Sequence, residues 1–196
     1  MPRLVDPEER VREIVAASID ALSDGGLQEL TLRKVAGRMG GSITLITHYF
    51  ATRKDLLNAI LEYVLSDADA FIGELEKIED PHERLKASLE WFLPLTPETL
   101  TQERARVALL SHQGKEPLIR QHLQKMEPAM QEVLACGINE LVPVDERDGM
   151  VDVLRVWVSG IALSAVEHPE MWTAERQLAT LERFIALLPT PRPITS

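Results

Sequence analysis

Apolar residues recur every three or four positions along most of the chain and no stretch alternates with period two, so the pattern predicts helices from end to end. The first stripe is Val11, Ile14, Val15, Ser18, Ile19 and Leu22, opened by Asp6 as N-cap with Pro7 in the first turn and stopped by Gly25-Gly26. Thr31 caps a shorter helix in which Leu32, Val35, Ala36 and Met39 share a face. Gly40-Gly41 ends it, because glycine tolerates the left-handed backbone of a tight reversal. Ser42 opens a third helix and is expected to accept a hydrogen bond from its first free amides, while Ile46 and Phe50, four apart, anchor it to the second. Thr52 and Asp55 form a capping-box-like start, and the apolar positions that follow predict one long helix from Thr52 to Ile78.

The remaining segments carry equally local signals. Asp80-Pro81 opens a helix closed by Pro94 and Pro97, and Thr96-Pro97 caps another reaching about His112. Gly114 breaks the chain. Glu116-Pro117 then starts a long helix through Leu141, with a kink expected at Pro128, where the ring removes one backbone bond. A helix from about Glu146 to His168 and a last one capped by Thr173 follow, before a P-x-P-x-P tail. The fold class is all-α with about nine helices. The expected domains are 1–55, a helix-turn-helix domain; 56–189, a larger helical domain for effector binding and dimerisation; and 190–196, a disordered tail. The boundary falls inside the Thr52–Ile78 helix, which becomes the link through which the larger domain moves the smaller.

Composition narrows the function. With 45% hydrophobic and 27% charged residues, the chain reads as a globular protein that buries a core. The single cysteine, Cys136, excludes an internal disulfide and a thiolate zinc cluster, and His112, His122 and His168 lack short metal-ligand spacing, so no metal or cofactor is expected. No run of about eighteen apolar residues and no basic-then-apolar leader occurs, so the expectation is a cytoplasmic protein without a membrane span. No phosphate-binding glycine loop and no serine or cysteine nucleophile motif suggests an enzyme. Charge is the informative departure. Between Leu30 and Asn58 stand Arg33, Lys34, Arg38, Arg53 and Lys54 against Asp55 alone, a local +4 inside a chain of net charge −10. That asymmetry suits one face that meets phosphate on a body that otherwise repels nucleic acid.

The segment TLRKVAGRMGGSITLITHYFATRKDLL, residues 31–57, resembles the DNA-binding domain of the tetracycline-repressor (TetR) family of bacterial transcriptional regulators, and its HYF ending is similar to the choline-responsive BetI-like branch. The resemblance is specific over residues 10–60 and elsewhere rests on helix order and size. It implies a homodimeric repressor that binds a palindromic double-stranded operator and is released by a small-molecule effector. Carried over position by position, Arg33 reaches the groove from the second helix; Thr44, Thr47 and His48 face base edges; Tyr49 and Arg53 hold phosphates with Lys54 as helper; and Ser42 and Thr52 cap helices whose amides also face phosphate. Residue chemistry fits these roles, since Arg is the usual bidentate reader of guanine and Thr offers a methyl to thymine. One departure stands out: many members carry Tyr where this chain has Thr47. Ile43 and Leu45 also make the recognition helix less polar, as thymine contacts or as packing.

Two further groups are candidates for more than packing. Trp91, Phe92, Leu109, His112, Met126, Met130 and Trp157 could line an apolar effector cavity, the two tryptophans suiting an apolar or quaternary-amine ligand, although the same residues also read as ordinary core. The helix at 146–168 is apolar on most faces and so needs burial on both sides. Within one subunit that burial is internal; in the family the last two helices meet a symmetry mate, which would place Val153, Val156, Val158, Ile161, Leu178, Leu181, Phe184 and Ile185 at a dimer interface. The alternative reading from another class is a helical binding or scaffold protein that does not contact DNA.

Overall fold

The computed structural model describes residues 6–65 and 68–188, and every regular element among them is helical. The α-helices are α1 (Pro7–Gly25), α2 (Leu32–Arg38), α3 (Ile43–Tyr49), α4 (Arg53–Leu65), α5 (Ala68–Leu75), α6 (Pro81–Glu90), α7 (Pro97–Leu110), α8 (Pro117–Ile138), α9 (Arg147–Glu167) and α10 (Ala174–Leu187), with short 3-10 turns at Gly26–Gln28 and Val144–Glu146. The 190–196 tail and the two residues on which a continuous Thr52–Ile78 helix depends lie outside the described residues.

The helices start where local chemistry dictates. The Asp6 carboxylate accepts the Glu8 amide at 3.0 Å, the Thr31 hydroxyl the Lys34 amide at 3.2 Å, and the Thr173 hydroxyl the Arg176 amide at 3.4 Å. Thr52 and Asp55 cap reciprocally, the Thr52 amide donating to the Asp55 carboxylate at 2.9 Å and the Asp55 amide to the Thr52 hydroxyl at 3.2 Å. Ser42 departs from expectation. Its extended backbone opens α3, but its hydroxyl makes no capping bond, and the helix begins instead with the Leu45 amide donating to the Ser42 carbonyl at 3.0 Å.

The described residues form two compact units, one of residues 6–65 with 101–123 and one of residues 68–100 with 124–188. The first unit runs past the 55/56 boundary drawn from the sequence, because Leu56, Leu57, Ile60 and Leu61 bury themselves in the same core as Ile14, Leu22, Val35 and Ile46. Ala105, Leu109 and Ile119 join that core, so α7 and α8 each contribute residues to both units.

In the second unit, α9 buries Val151, Leu154, Val158, Ile161, Ala162 and Ala165. Leu85 and Leu89 of α6, Leu134 and Ile138 of α8 and Leu181 of α10 share their core. Helix α6 comes so close to α8 that a Cβ on Gly137 would lie 2.1 Å from the Ser88 hydroxyl and 2.8 Å from the Ser88 Cβ. An eighteen-residue window within 144–167 also reaches a mean hydropathy of 1.5, enough by length and composition for a membrane span. Its physical use here is different: one face is built into the unit's core, and Asp152 and Arg155 interrupt the run.

Candidate nucleic-acid interface

Helices α2 and α3 pack on each other across the turn at Gly40, whose φ of +64° is the left-handed conformation for which glycine is suited. The Gly41 amide closes the turn on the Ala36 carbonyl at 3.0 Å. Val35, Ala36, Ile46 and Phe50 are buried beneath it, which fixes the outward face of α3. On that face Thr44, Thr47 and His48 are exposed, as are Ser42 at the helix entrance and Arg33 on α2. Tyr49 is half-buried: it packs on the core and meets His48 edge to face at 4.9 Å. The Thr47 hydroxyl turns back to the Thr44 carbonyl at 3.3 Å.

The local positive charge is smaller than residue counting implied. Lys34 pairs with Glu29 at 2.6 Å and Arg38 with Asp24 at 2.7 Å, and both acids stand just upstream of the stretch in which the bases were counted. Arg53 is also engaged. Its Nε donates to the Leu30 carbonyl at 2.8 Å, one terminal nitrogen to the Leu27 carbonyl at 3.2 Å, and the other faces the Glu116 carboxylate at 3.5 Å. This guanidinium fork staples the start of α4 to the segment that precedes α2, a structural role beside the phosphate contact expected of it. The carbonyls it holds are 23 and 26 residues away, beyond any local signal. Arg33 and Lys54 make no ion pair among the described residues, so they remain the basic side chains offered to a polyanion. Lys54 shares with Arg53 a cleft of about 330 Å³ lined further by Leu57, Glu116, Pro117, Leu118 and Gln121.

The expected effector residues do not form one group. Leu109, 4% exposed, belongs to the core of the first unit, and His112, in the same unit, hydrogen-bonds through Nδ1 with the Ala108 carbonyl at 3.0 Å. Trp91, Phe92, Met126 and Met130 gather in the second unit, where Trp91 stacks on Phe71 at 5.3 Å and meets Phe92 edge to face at 4.9 Å. Trp157 belongs to a different cluster and stacks on Phe184 at 4.3 Å, so the two tryptophans do not frame one box.

The expected interface residues divide as well. Val158, Ile161 and Leu181 are buried inside the chain's own core, because α9 turns that stripe toward α6 and α8. Leu178, Phe184 and Ile185 are half-buried, whereas Val153 and Val156 are exposed at 52% and 74%. Counting apolar residues could not separate these faces. Helical phase could have done so, since Gly149, Val153, Val156, Gly160 and Leu163 recur at alternating steps of four and three and all are exposed.

Two short helices about a glycine turn, one buried against the other and one with an exposed polar face, define the helix-turn-helix class whose second helix fits the DNA major groove. Residues 81–189, more than half of the chain, match the C-terminal domain of BetI-type transcriptional repressors, and the chain belongs to that family. The regulator BetI 1 of Chromohalobacter salexigens is 28% identical over 92 residues, 46% of this chain and 46% of that protein, so the match spans about half of that relative's length. BetI of Rhizobium meliloti is 22% identical over 94% of this chain and 92% of its own. A transcriptional regulator from Saccharomonospora viridis, solved in complex with choline, superimposes with a TM-score of 0.80 at 19% identity, covering 94% of this chain and all of that one.

Proposed function

We propose that this protein is a ligand-responsive transcriptional repressor that acts in the cytoplasm, binding a palindromic operator as a homodimer and releasing it when a small molecule occupies the larger domain. The observation that carries the reading is the outward face of α3, with Thr44, Thr47 and His48 exposed on a helix locked to α2 by a glycine turn, and with Arg33 free of ion pairing among the described residues. Base contacts come from that face and from Arg33; phosphate contacts come from Lys54, Tyr49 and the first turns of α3 and α4.

Homodimerisation is supported by the exposed seam on α9. Its four-three spacing is that of a coiled-coil interface, and the open space around Gly149 and Gly160 leaves a partner helix room to approach. Two copies joined there present two recognition helices to two half-sites, and pairing raises the affinity of a motif that alone binds weakly. An aromatic effector site in the second unit is supported by Phe71, Trp91 and Phe92 beside Met126 and Met130. The choline bound by the Saccharomonospora protein favours a quaternary amine as ligand class, which an aromatic lining suits. Release then requires the ligand to favour the DNA-incompetent arrangement, and α7 and α8, which belong to both units, carry the difference.

The test is binding of the full-length protein to the intergenic DNA upstream of its own gene, titrated against salt. A specific shift at two protomers per site, with log K falling steeply in log salt and reversed by choline or a related amine, is the expected result. No preference over random duplex by well-folded dimer would instead leave a helical binding or scaffold protein.

A further inference from the structure

Helix α3 presents an apolar group where a polar one would serve a sequence reader better. Ile43, its first residue, is 47% exposed, whereas Ile46 is fully buried, Leu45 lies against Gly41 and Tyr49 packs on the core. One turn further on, on the same side of the helix, stands Thr47. Its hydroxyl gives its one proton to the Thr44 carbonyl at 3.3 Å, so it has none left to donate to a base, and its methyl adds an apolar group one turn from Ile43. Two apolar groups thus lie one turn apart on one side of the recognition helix, with Ile43 at its N-terminal end, the end that meets base edges when such a helix enters the major groove.

Neither group can pair with a base donor or acceptor. The one apolar feature that base edges display in the major groove is the C5 methyl of thymine. We infer that Ile43 and Thr47 form a thymine-methyl reader, so that this repressor selects its half-site partly by apolar contact, with Ile43 as the specificity-determining residue. Buried internal packing does not account for Ile43, because it is exposed, and phosphate binding does not, because it carries no donor.

The inference rests on the DNA-binding reading, and its test separates the two. Once the operator is mapped, each thymine of the half-site is replaced in turn by deoxyuridine, which removes only the C5 methyl, and the affinity of the full-length protein is measured. Wild type should lose about fourfold per methyl at the Ile43 position, and about fifteenfold when both half-sites are changed, the values expected for burying one and two methylene-sized groups. In Ile43→Ala that sensitivity should vanish while the salt dependence stays at the wild-type slope; Thr47→Ser should erase a second, neighbouring position. A wild-type profile flat at every thymine, or one that Ile43→Ala leaves unchanged, overturns the inference while operator binding itself stands. Absence of any operator preference in wild type overturns the regulator reading and this inference with it.

Discussion

Replacing Arg53 by Met keeps the aliphatic stem and removes the guanidinium fork, and its consequence distinguishes a structural staple from a phosphate contact. Three interactions disappear: the bonds to the Leu30 and Leu27 carbonyls at 2.8 and 3.2 Å and the Glu116 pair at 3.5 Å. A bond from a charged donor nets about 1.5–3 kcal/mol when buried. The Arg53 side chain is 39% exposed, so the two carbonyl bonds together are taken as worth about 2 kcal/mol after solvent screening. The ion pair, long and one-third exposed on both sides, adds about 0–1 kcal/mol. In a chain of this size each kcal/mol moves the melting temperature by about 2–4 °C, so a loss of about 2–3 kcal/mol should make Arg53→Met melt about 4–12 °C lower in the absence of DNA. Arg53→Lys should recover little of this, since a single ammonium cannot bridge two carbonyls and a carboxylate as a planar fork does. The companion assay is the slope of log K against log salt. A staple leaves the slope unchanged, whereas loss of a phosphate contact reduces its magnitude by about 0.9 per protomer. A variant that melts with wild type and loses that slope would refute the staple.

Other outcomes follow from the same structure. Gly137→Ala forces its new methyl into Ser88, whose Cβ belongs to a packed helix and not to a flexible tip, and should cost about 1–3 kcal/mol by chemical denaturation; an unchanged midpoint would mean α6 and α8 are less closely apposed. Val156→Asp, at a position 74% exposed, should leave each protomer folded and, on the proposed α9 dimer, weaken dimerisation by about a hundredfold or more, since it would place a charge at a desolvated symmetric contact; sedimentation at equal concentration reads this directly. The Asp80 carboxylate is held below the usual aspartate range by the His82 and Glu83 amides it caps. A lowered folded value means the cap stabilises fully above the ordinary aspartate range and loses its contribution as pH falls through the lowered one; Asp80→Asn should flatten that acid limb of the stability curve, and an identical limb would exclude Asp80 from it.

Much of this protein was determined by sequence alone, and the reason is that the decisive forces there are local. Capping residues, prolines in first turns and glycines at reversals act within three or four residues of where they stand, so Asp6, Thr31, Thr52 with Asp55, Asp80 and Thr173 announce their helices, and Gly40-Gly41 announces the turn that makes α2 and α3 one motif. The exposed face of α3 was legible for the same reason, since Ile46 and Phe50 commit the opposite face to burial. Tertiary structure alone decided what each side chain does when its partner lies far along the chain. Arg53 reaches the Leu27 and Leu30 carbonyls because the fold brings that turn's backbone acceptors to it. Trp91 and Trp157 look alike in sequence and end in separate clusters, stacked on Phe71 and Phe184. On α9, an all-round apolar helix reveals no inner face by composition. Helical phase groups Val153, Val156 and Leu163 on one side, but the packing of α6, α8 and α10 against Leu154, Val158 and Ile161 decides which side turns inward, because burial depends on which neighbours arrive and not on how apolar a residue is.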